Sequence, residues 1–424
     1  RTGAPAGRMT GSGLARQTRR PFFWRGPLLA ALLSLTGASA ARAAECTVPA
    51  GLAHFHAAMS AIEAGERARP LTVLHLGDSH ISLDNFTRGL RARLQARFGD
   101  AGRGLMPGIP FRYYAPDGYT LGMTGPWEVF SSLPADASGA FGIQGFRVEA
   151  EARDAVMSLE AALPVSSVEI EAYGGPGTGA LLLRLGEAAP LRLETRQALP
   201  GLVRLRVPAA QVRRITLSPA GTGVVRLLGW SLHHAGEGAG ARYDSHGIVA
   251  ATAAVTTRWD AAVVRGQVAA LQPDLVIFGY GTNEGFNNGL SIPAYREMVS
   301  SLLDRIAAAA PQASFALLGP FDGARQGTGQ ACQGGWATPP RLDAVRQALK
   351  EEAVSRGAFF WDGGEAMGGR CAADDWARLE PPLMHGDRVH LRREGADRLS
   401  ASLASALMGG EACTPALTIT GSSD

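Results

Sequence analysis

The stretch LTVLHLGDSHISL, residues 71–83, is apolar up to Gly77 and turns polar at Asp78, Ser79 and His80. A serine at the carboxyl end of a buried strand, directly before a helix, exposes its hydroxyl at the edge of the sheet. The backbone N–H groups of such a turn suit an oxyanion. Gly77 allows a turn too tight for a side chain. A serine placed this way equally well caps the helix, which is its commoner use, and this stretch alone does not separate nucleophile from cap.

A serine hydroxyl is a weak nucleophile near neutral pH unless a base takes its proton. In HGDRVHLRREGADRL, Asp387 precedes His390 by three residues in a loop leading into the last helix. That spacing lets the carboxylate reach Nδ1 of the imidazole while Nε2 faces a serine. In FGYGTNEGF, after an apolar run, Asn283 offers an amide to a developing oxyanion and Gly281 lets the backbone come close. Alone, a Gly-x-Asn is more often a turn. YDSHGIVAAT supplies Gly247, whose backbone N–H is a second candidate donor, together with Ser245 and His246 as rival catalytic candidates.

These residues need a frame. GLAHFHAAMSAIEAGERARP reads as a helix and LTVLHL as a short buried strand. Phe86, Leu90, Leu94 and Phe98 then recur at every fourth position, with Asp84 or Asn85 placed to cap that helix. Later, DLVIFGY, ASFALLG and AFFWDG read as strands, and the segments beginning IPAYREM, RLDAVRQ and REGADRL as the helices between and after them. Strands alternating with helices indicate a parallel α/β sheet with its site beyond the strands' carboxyl ends. Between about residues 105 and 240 the alternation fails. VSSVEIEAYGG, GALLLRLGEA, PLRLETRQAL, GLVRLRVPAA, RRITLSPAG and GVVRLLGWSLHH are strand-like runs split by Gly/Pro turns, the pattern of an antiparallel β-sandwich inserted in the α/β domain.

With 424 residues, 46% hydrophobic and 19% charged, the chain can bury a full core. Its first 43 residues carry seven arginines and no acid, then an apolar stretch ending Ala41-Arg42-Ala43, the pattern of a secretory signal peptide. The segment TRRPFFW is similar to a twin-arginine signal. The apolar stretch is too short and interrupted for a stable membrane span, and Glu45 before Cys46 argues against a lipoprotein. Removing the leader turns the formal charge of +3 into about −4, and no basic patch interleaved with aromatics remains, so a nucleic-acid partner is not expected. Cys46, Cys332, Cys371 and Cys413 allow three pairings in an oxidising compartment. Cys332 with Cys371, and Cys46 with Cys413, are favoured. No Cys/His spacing suits a metal.

The motifs together resemble the SGNH, or GDSL-type, serine hydrolases. The four blocks occur in order as Gly77-Asp78-Ser79, the glycine of Asp244-Ser245-His246-Gly247, Gly281-Thr282-Asn283-Glu284, and Asp387-Arg388-Val389-His390. His80 stands where the family name has Leu, and Glu284 where the third block usually has Asp. The resemblance covers residues 70–104 and 241–408. It implies a three-layer α/β fold, Ser79 as nucleophile, Asp387 and His390 completing a triad, and Ser79 N–H, Gly247 N–H and Asn283 forming an oxyanion hole. No cofactor or metal is implied.

The layout, with an exported chain and a β insert between the first two blocks, is most similar to bacterial peptidoglycan O-acetylesterases, whose insert resembles a carbohydrate-binding module. Residues 1–43 would be the signal, 44–104 and 241–424 the hydrolase domain, and 105–240 the insert. Tyr113, Tyr114, Tyr119 and Trp127 could stack on sugar rings or pack the domain interface. The expected function is a periplasmic or secreted serine esterase removing O-acetyl groups from an envelope polysaccharide, with N-acetylmuramic acid of peptidoglycan as its substrate. The alternatives are an exopolysaccharide or cellulose O-acetyltransferase using the same triad, a lipase or thioesterase, and a non-catalytic glycan-binding protein. No strongly apolar loop flanks Ser79, as a long-chain substrate would want.

Overall fold

A computed structural model describes residues 48–409, apart from 108, 111–116, 235–239 and 328. The leader, the Cys46–Cys413 pairing and the readings of Tyr113 and Tyr114 lie outside the described residues.

Helix α1 (Ala53–Glu63) buries Phe55, Ala58 and Met59, and strand β1 (Leu71–Gly77) is buried at every position, as expected of a strand covered on both faces. One turn, α2 (Ser79–Ser82), separates β1 from α3 (Asn85–Phe98), which buries Phe86, Leu90, Leu94 and Phe98. Asp84 sits at the N-cap of α3 in a left-handed conformation, φ 55°, but its side chain does not cap. Its carboxylate is taken by Arg91 at 2.9 Å and Arg103 at 2.6 Å, because a buried charge is better compensated by guanidinium groups than by one amide.

The insert comprises β2 (Gly104–Met106), β3 (Tyr119–Thr124), β4 (Glu128–Ser131), β5 (Phe146–Ala150), β6 (Val156–Gly174), β7 (Ala180–Leu185), β8 (Leu191–Glu194), β9 (Gly201–Pro219) and β10 (Val225–His233). All nine join one antiparallel sheet, ordered β4-β5-β10-β6-β9-β7-β8, with β2 on β10 and β3 on β6. The runs GLVRLRVPAA and RRITLSPAG, expected as two strands, are the single strand β9. It is broken only by Gln211 at φ 58°, near register shifts in its pairing with β6. The first part of β6 pairs with β3 and the last part with β10, so the sheet folds across this irregularity. Its two halves share one apolar cluster that includes Met157, Leu159, Ile170, Ile215, Leu217 and Trp230. Tyr119 is buried in that cluster and Trp127 packs half-buried against it.

The chain then returns through β11 (Ala241–Gly247), α4 (Ala261–Leu271), β12 (Leu275–Gly279), α5 (Thr282–Gly285), α6 (Ile292–Ala309) and β13 (Ser314–Gly319). A small sheet of β14 (Arg325–Gln326), β15 (Gln330–Ala331) and β16 (Trp336–Thr338) follows. Next come α7 (Leu342–Arg356), β17 (Phe359–Asp362), α8 (Gly363–Met367), α9 (Ala372–Arg378) and α10 (Arg393–Met408). The Cys332–Cys371 disulfide joins the turn between β15 and β16 to the start of α9.

Five strands, β11-β1-β12-β13-β17, form the parallel sheet. Alternation along β1 divides the core: Leu71 and Val73 pack with residues of α1, α3 and α10, and Leu74 and Leu76 with residues of α4, α6 and α7. This is the three-layer α/β fold. The insert is keyed to it by buried polar contacts. Gln267 of α4 donates to Glu171 of β6 at 2.7 Å, and Asp244 of β11 accepts the N–H of Leu105 in β2 at 2.6 Å.

Candidate active site

Three adjacent strands end on glycine in register: Gly77 of β1 stands opposite Gly247 of β11 and Gly279 of β12. At Gly77 a Cβ would lie 2.4 Å from Ile81 Cγ1 and 2.8 Å from Gly279 O, so the close turn off β1 leaves no room for a side chain there. At Gly247 a Cβ would lie 2.1 Å from Ser82 N and 2.5 Å from Asp78 O, so only glycine lets β11 meet the turn that carries Ser79. Asp78 caps α2 by accepting the N–H of His80 at 3.0 Å. Ser79 is thus the first residue of the turn, and the capping role belongs to its neighbour.

Ser79 Oγ lies 3.0 Å from His390 Nε2, and His390 Nδ1 lies 2.7 Å from Asp387 Oδ2. Asp387 Oδ1 also accepts the backbone N–H groups of Val389 and His390, both at 3.0 Å. Partial burial would raise the Asp387 pKa, but these bonds from the His390 ring and the two amides hold it well below the ordinary carboxylate value. An ionised Asp387 accepts Nδ1–H, which leaves the Nε2 lone pair for the serine proton. Arg388, between them, adopts φ 53°, stacks its guanidinium 4.2 Å from the Trp336 ring centre and reaches the buried Asp374. That left-handed conformation puts Asp387 and His390 on the same side of the loop.

Asn283 lies in α5, directly beyond β12, and Gly281 reaches it at φ 146°, a conformation open to glycine. Asn283 Nδ2 donates one proton to the carbonyl of Ala251 at 2.8 Å. An amide carries two, so a second remains for a ligand. Glu284 grips the same segment, accepting the N–H of Ala253 at 2.6 Å.

The rivals Ser245 and His246 are buried within β11, and neither has a hydrogen bond to Ser79, Asp387 or His390. Burial pushes the His246 pKa down to about 4, and neither ring nitrogen has a hydrogen-bond partner among the described residues, so no group is placed to use it as a base. Asp244 is held by Arg242 and by the Leu105 N–H. Sequence reasoning left His80 without a role and missed the Ala251–Ala253 segment. The His80 ring binds the Val389 carbonyl, and Ala251 and Ala253 meet Asn283 and Glu284 through a carbonyl and an amide, backbone groups that carry no residue-type signal. Among the described residues no three His, Cys, Asp or Glu side chains converge as metal ligands.

Residues 219–398 match the model of the GDSL-like Lipase/Acylhydrolase family. That span begins within the insert, at the end of β9, takes in β10 and contains Gly247, Asn283, Asp387 and His390, while Ser79 lies before it in the chain. Among solved structures, the chain is similar to one described as a peptidoglycan O-acetylesterase in action. The two share 23% identity and a TM-score of 0.71, over 84% of this chain and 95% of that one. So large a share includes the insert as well as the parallel sheet. A lipase/acylhydrolase from Enterococcus faecalis aligns at 14% identity and a TM-score of 0.30, over 40% of this chain and 77% of that one. An acetyl xylan esterase aligns at 13% and 0.31, over 39% and 80%. No curated protein sequence matches the chain.

Proposed function

We propose that this chain, an SGNH-type acyl esterase of the GDSL-like family, removes O-acetyl groups from an envelope polysaccharide, with N-acetylmuramic acid of peptidoglycan as the substrate unit. The observation that most supports this reading is the continuous line from Asp387 through His390 to Ser79 at the mouth of the parallel sheet. In the proposed reaction the Ser79 oxygen bonds to the acetyl carbonyl carbon while His390 Nε2 takes its proton. The carbonyl oxygen gains charge and is met by the Ser79 and Gly247 N–H groups and the Asn283 amide. The C–O bond to the sugar then breaks, and His390 returns the proton to the leaving sugar oxygen. Water, deprotonated by His390, cleaves the acetyl-serine to acetate and frees Ser79.

The likeness to a peptidoglycan O-acetylesterase supports the acetyl and peptidoglycan parts of the proposal, and the leader-like residues 1–43 support an exported, periplasmic or secreted enzyme. Among the described residues no helix is long and apolar enough to cross a membrane.

The test is acetate release from O-acetylated peptidoglycan, set beside acetylated xylan, acetylated cellulose and a longer-chain ester, for the wild type and Ser79→Ala. The expected result is release from peptidoglycan that Ser79→Ala abolishes without unfolding. Retained activity in the pure variant would overturn the nucleophile, preference for another ester would overturn the substrate, and acetyl transfer to a glycan hydroxyl in place of acetate release would mark an acetyltransferase.

A further inference from the structure

His80 follows the nucleophile, and its ring lies between the Asp78 carboxylate and the loop that carries His390. It is buried, with Nδ1 3.1 Å from Asp78 Oδ1 and Nε2 2.9 Å from the backbone carbonyl of Val389, the residue before His390. Both neighbours are acceptors, a carboxylate and a carbonyl. A neutral imidazole has one N–H, so either tautomer would set a nitrogen lone pair against an oxygen lone pair at a buried residue. Only the doubly protonated ring satisfies both contacts. Asp78 is fully buried and supplies the counter-charge.

We propose that His80 is a positioning residue: held as an imidazolium between Asp78 and the Val389 carbonyl, it ties the turn carrying Ser79 to the loop carrying His390 and so sets the distance across which the proton moves. The proposal rests on the triad reading above.

The surroundings agree. Burial would lower the His80 pKa, but the Asp78 hydrogen bond and charge, the Val389 carbonyl and the Asp387 charge outweigh it and raise the value above the ordinary 6.5. Reciprocally, burial would raise the Asp78 pKa and the His80 contacts hold it down. The charged or titratable groups facing the ring are Asp78 from the β1–α2 junction and Asp387 and His390 from the loop, with the His390 ring centroid 5.6 Å away. The remaining neighbours are neutral: the edge of Phe321, ring centroid at 5.0 Å, and the Thr282 hydroxyl, 3.5 Å from Nδ1. The same loop is also held by Arg388 against Asp374 and Trp336, so His80 supplies a second hold.

Two substitutions divide the clamp. Glutamine carries an N–H where Nε2 stands and keeps the bond to Val389, whereas asparagine reaches only Asp78. For a misplaced base, His80→Asn should lower kcat about 10- to 100-fold. Its KM should stay within about twofold of wild type, because substrate contacts are untouched. His80→Gln should restore most of that kcat. An unimpaired His80→Asn, or a folded His80→Gln as slow as His80→Asn, would overturn the clamp. Should either variant fail to fold, nitrogen NMR of the histidine-labelled wild type decides. At about pH 7.5 both ring nitrogens of His80 should be protonated, and a neutral tautomer there would overturn the proposal. Ser79→Ala, measured alongside, reports on the nucleophile alone. If it is silent while His80→Asn is fully active, the clamp fails and the triad stands.

Discussion

Asn283 Nδ2 lies 2.8 Å from the carbonyl oxygen of Ala251, so one proton of the amide is anchored and the other is left for a ligand, the role proposed for it in the oxyanion hole. Anchoring matters because an oxyanion donor is effective only when it is aimed before charge develops. Asn283→Ala removes both donor and anchor, and should cost on the order of 100- to 1000-fold in turnover of a small acetyl ester. The lost bond to Ala251 should also cost about 1 kcal/mol of stability. Steady-state kinetics and denaturant unfolding check the two effects. A change confined to KM would mean that Asn283 binds substrate without stabilising the transition state.

Asp387 binds two backbone amides through Oδ1 and the His390 ring through Oδ2. In Asp387→Asn the amide oxygen can keep the backbone contacts, but the amide nitrogen then meets Nδ1 as a donor and forces its proton onto Nε2. The ring can no longer accept from Ser79, and kcat should fall by roughly 10⁴-fold while the loop keeps its shape. Serine-directed inhibitor labelling should slow in parallel. Because the Asp387 pKa is depressed in the fold, its stabilising contribution is present above the ordinary value of 3.8 and is lost as pH falls through the lower folded value. Thermal melts of wild type and variant should therefore converge in strong acid.

Glu284 is buried behind Asn283, and burial raises its pKa from 4.5 to about 7 against the opposing Ala253 N–H bond. The sign is opposite to that of Asp387. Between 4.5 and 7 the folded state holds a proton that the unfolded chain releases, so stability falls as pH rises across that window and levels off above it. The integrated cost is on the order of 3 kcal/mol. Glu284→Gln keeps an acceptor for Ala253 and removes the titration. Its melting temperature should stay flat where that of the wild type declines, and the variant should be the more stable of the two at mildly alkaline pH. Parallel curves for the two proteins would show that Glu284 ionises normally.

Much of the architecture was legible because it follows from periodicity. The four-residue recurrence of Phe86, Leu90, Leu94 and Phe98 gave α3, and the apolar runs at residues 71–77, 275–279 and 314–319 gave the central strands. The long strands of the insert were harder. A break at Gln211 interrupts the alternation in β9 and reads as a turn, although the hydrogen-bonded ladder continues through it. Residue type offers Asp84 or Asn85 as the cap of α3; Asp84 takes the N-cap position, but two arginines claim its side chain, one of them from beyond α3. The Cys332–Cys371 pair was one favoured choice among those that four cysteines allow, and the structure joins them.

The sequence by itself determined the parallel α/β frame, the insert and the short list of residues able to do acyl chemistry, because strand and helix periods and the four blocks are local patterns in residue type. The tertiary structure alone decided how these residues meet. Ser79 and His390 come within 3.0 Å across 311 positions of chain, and His80 reaches the Val389 carbonyl across 309. Contacts of that kind are set by where strands end and loops return. When one partner is a backbone oxygen, every residue offers the same group, and only the folded geometry says which one is used.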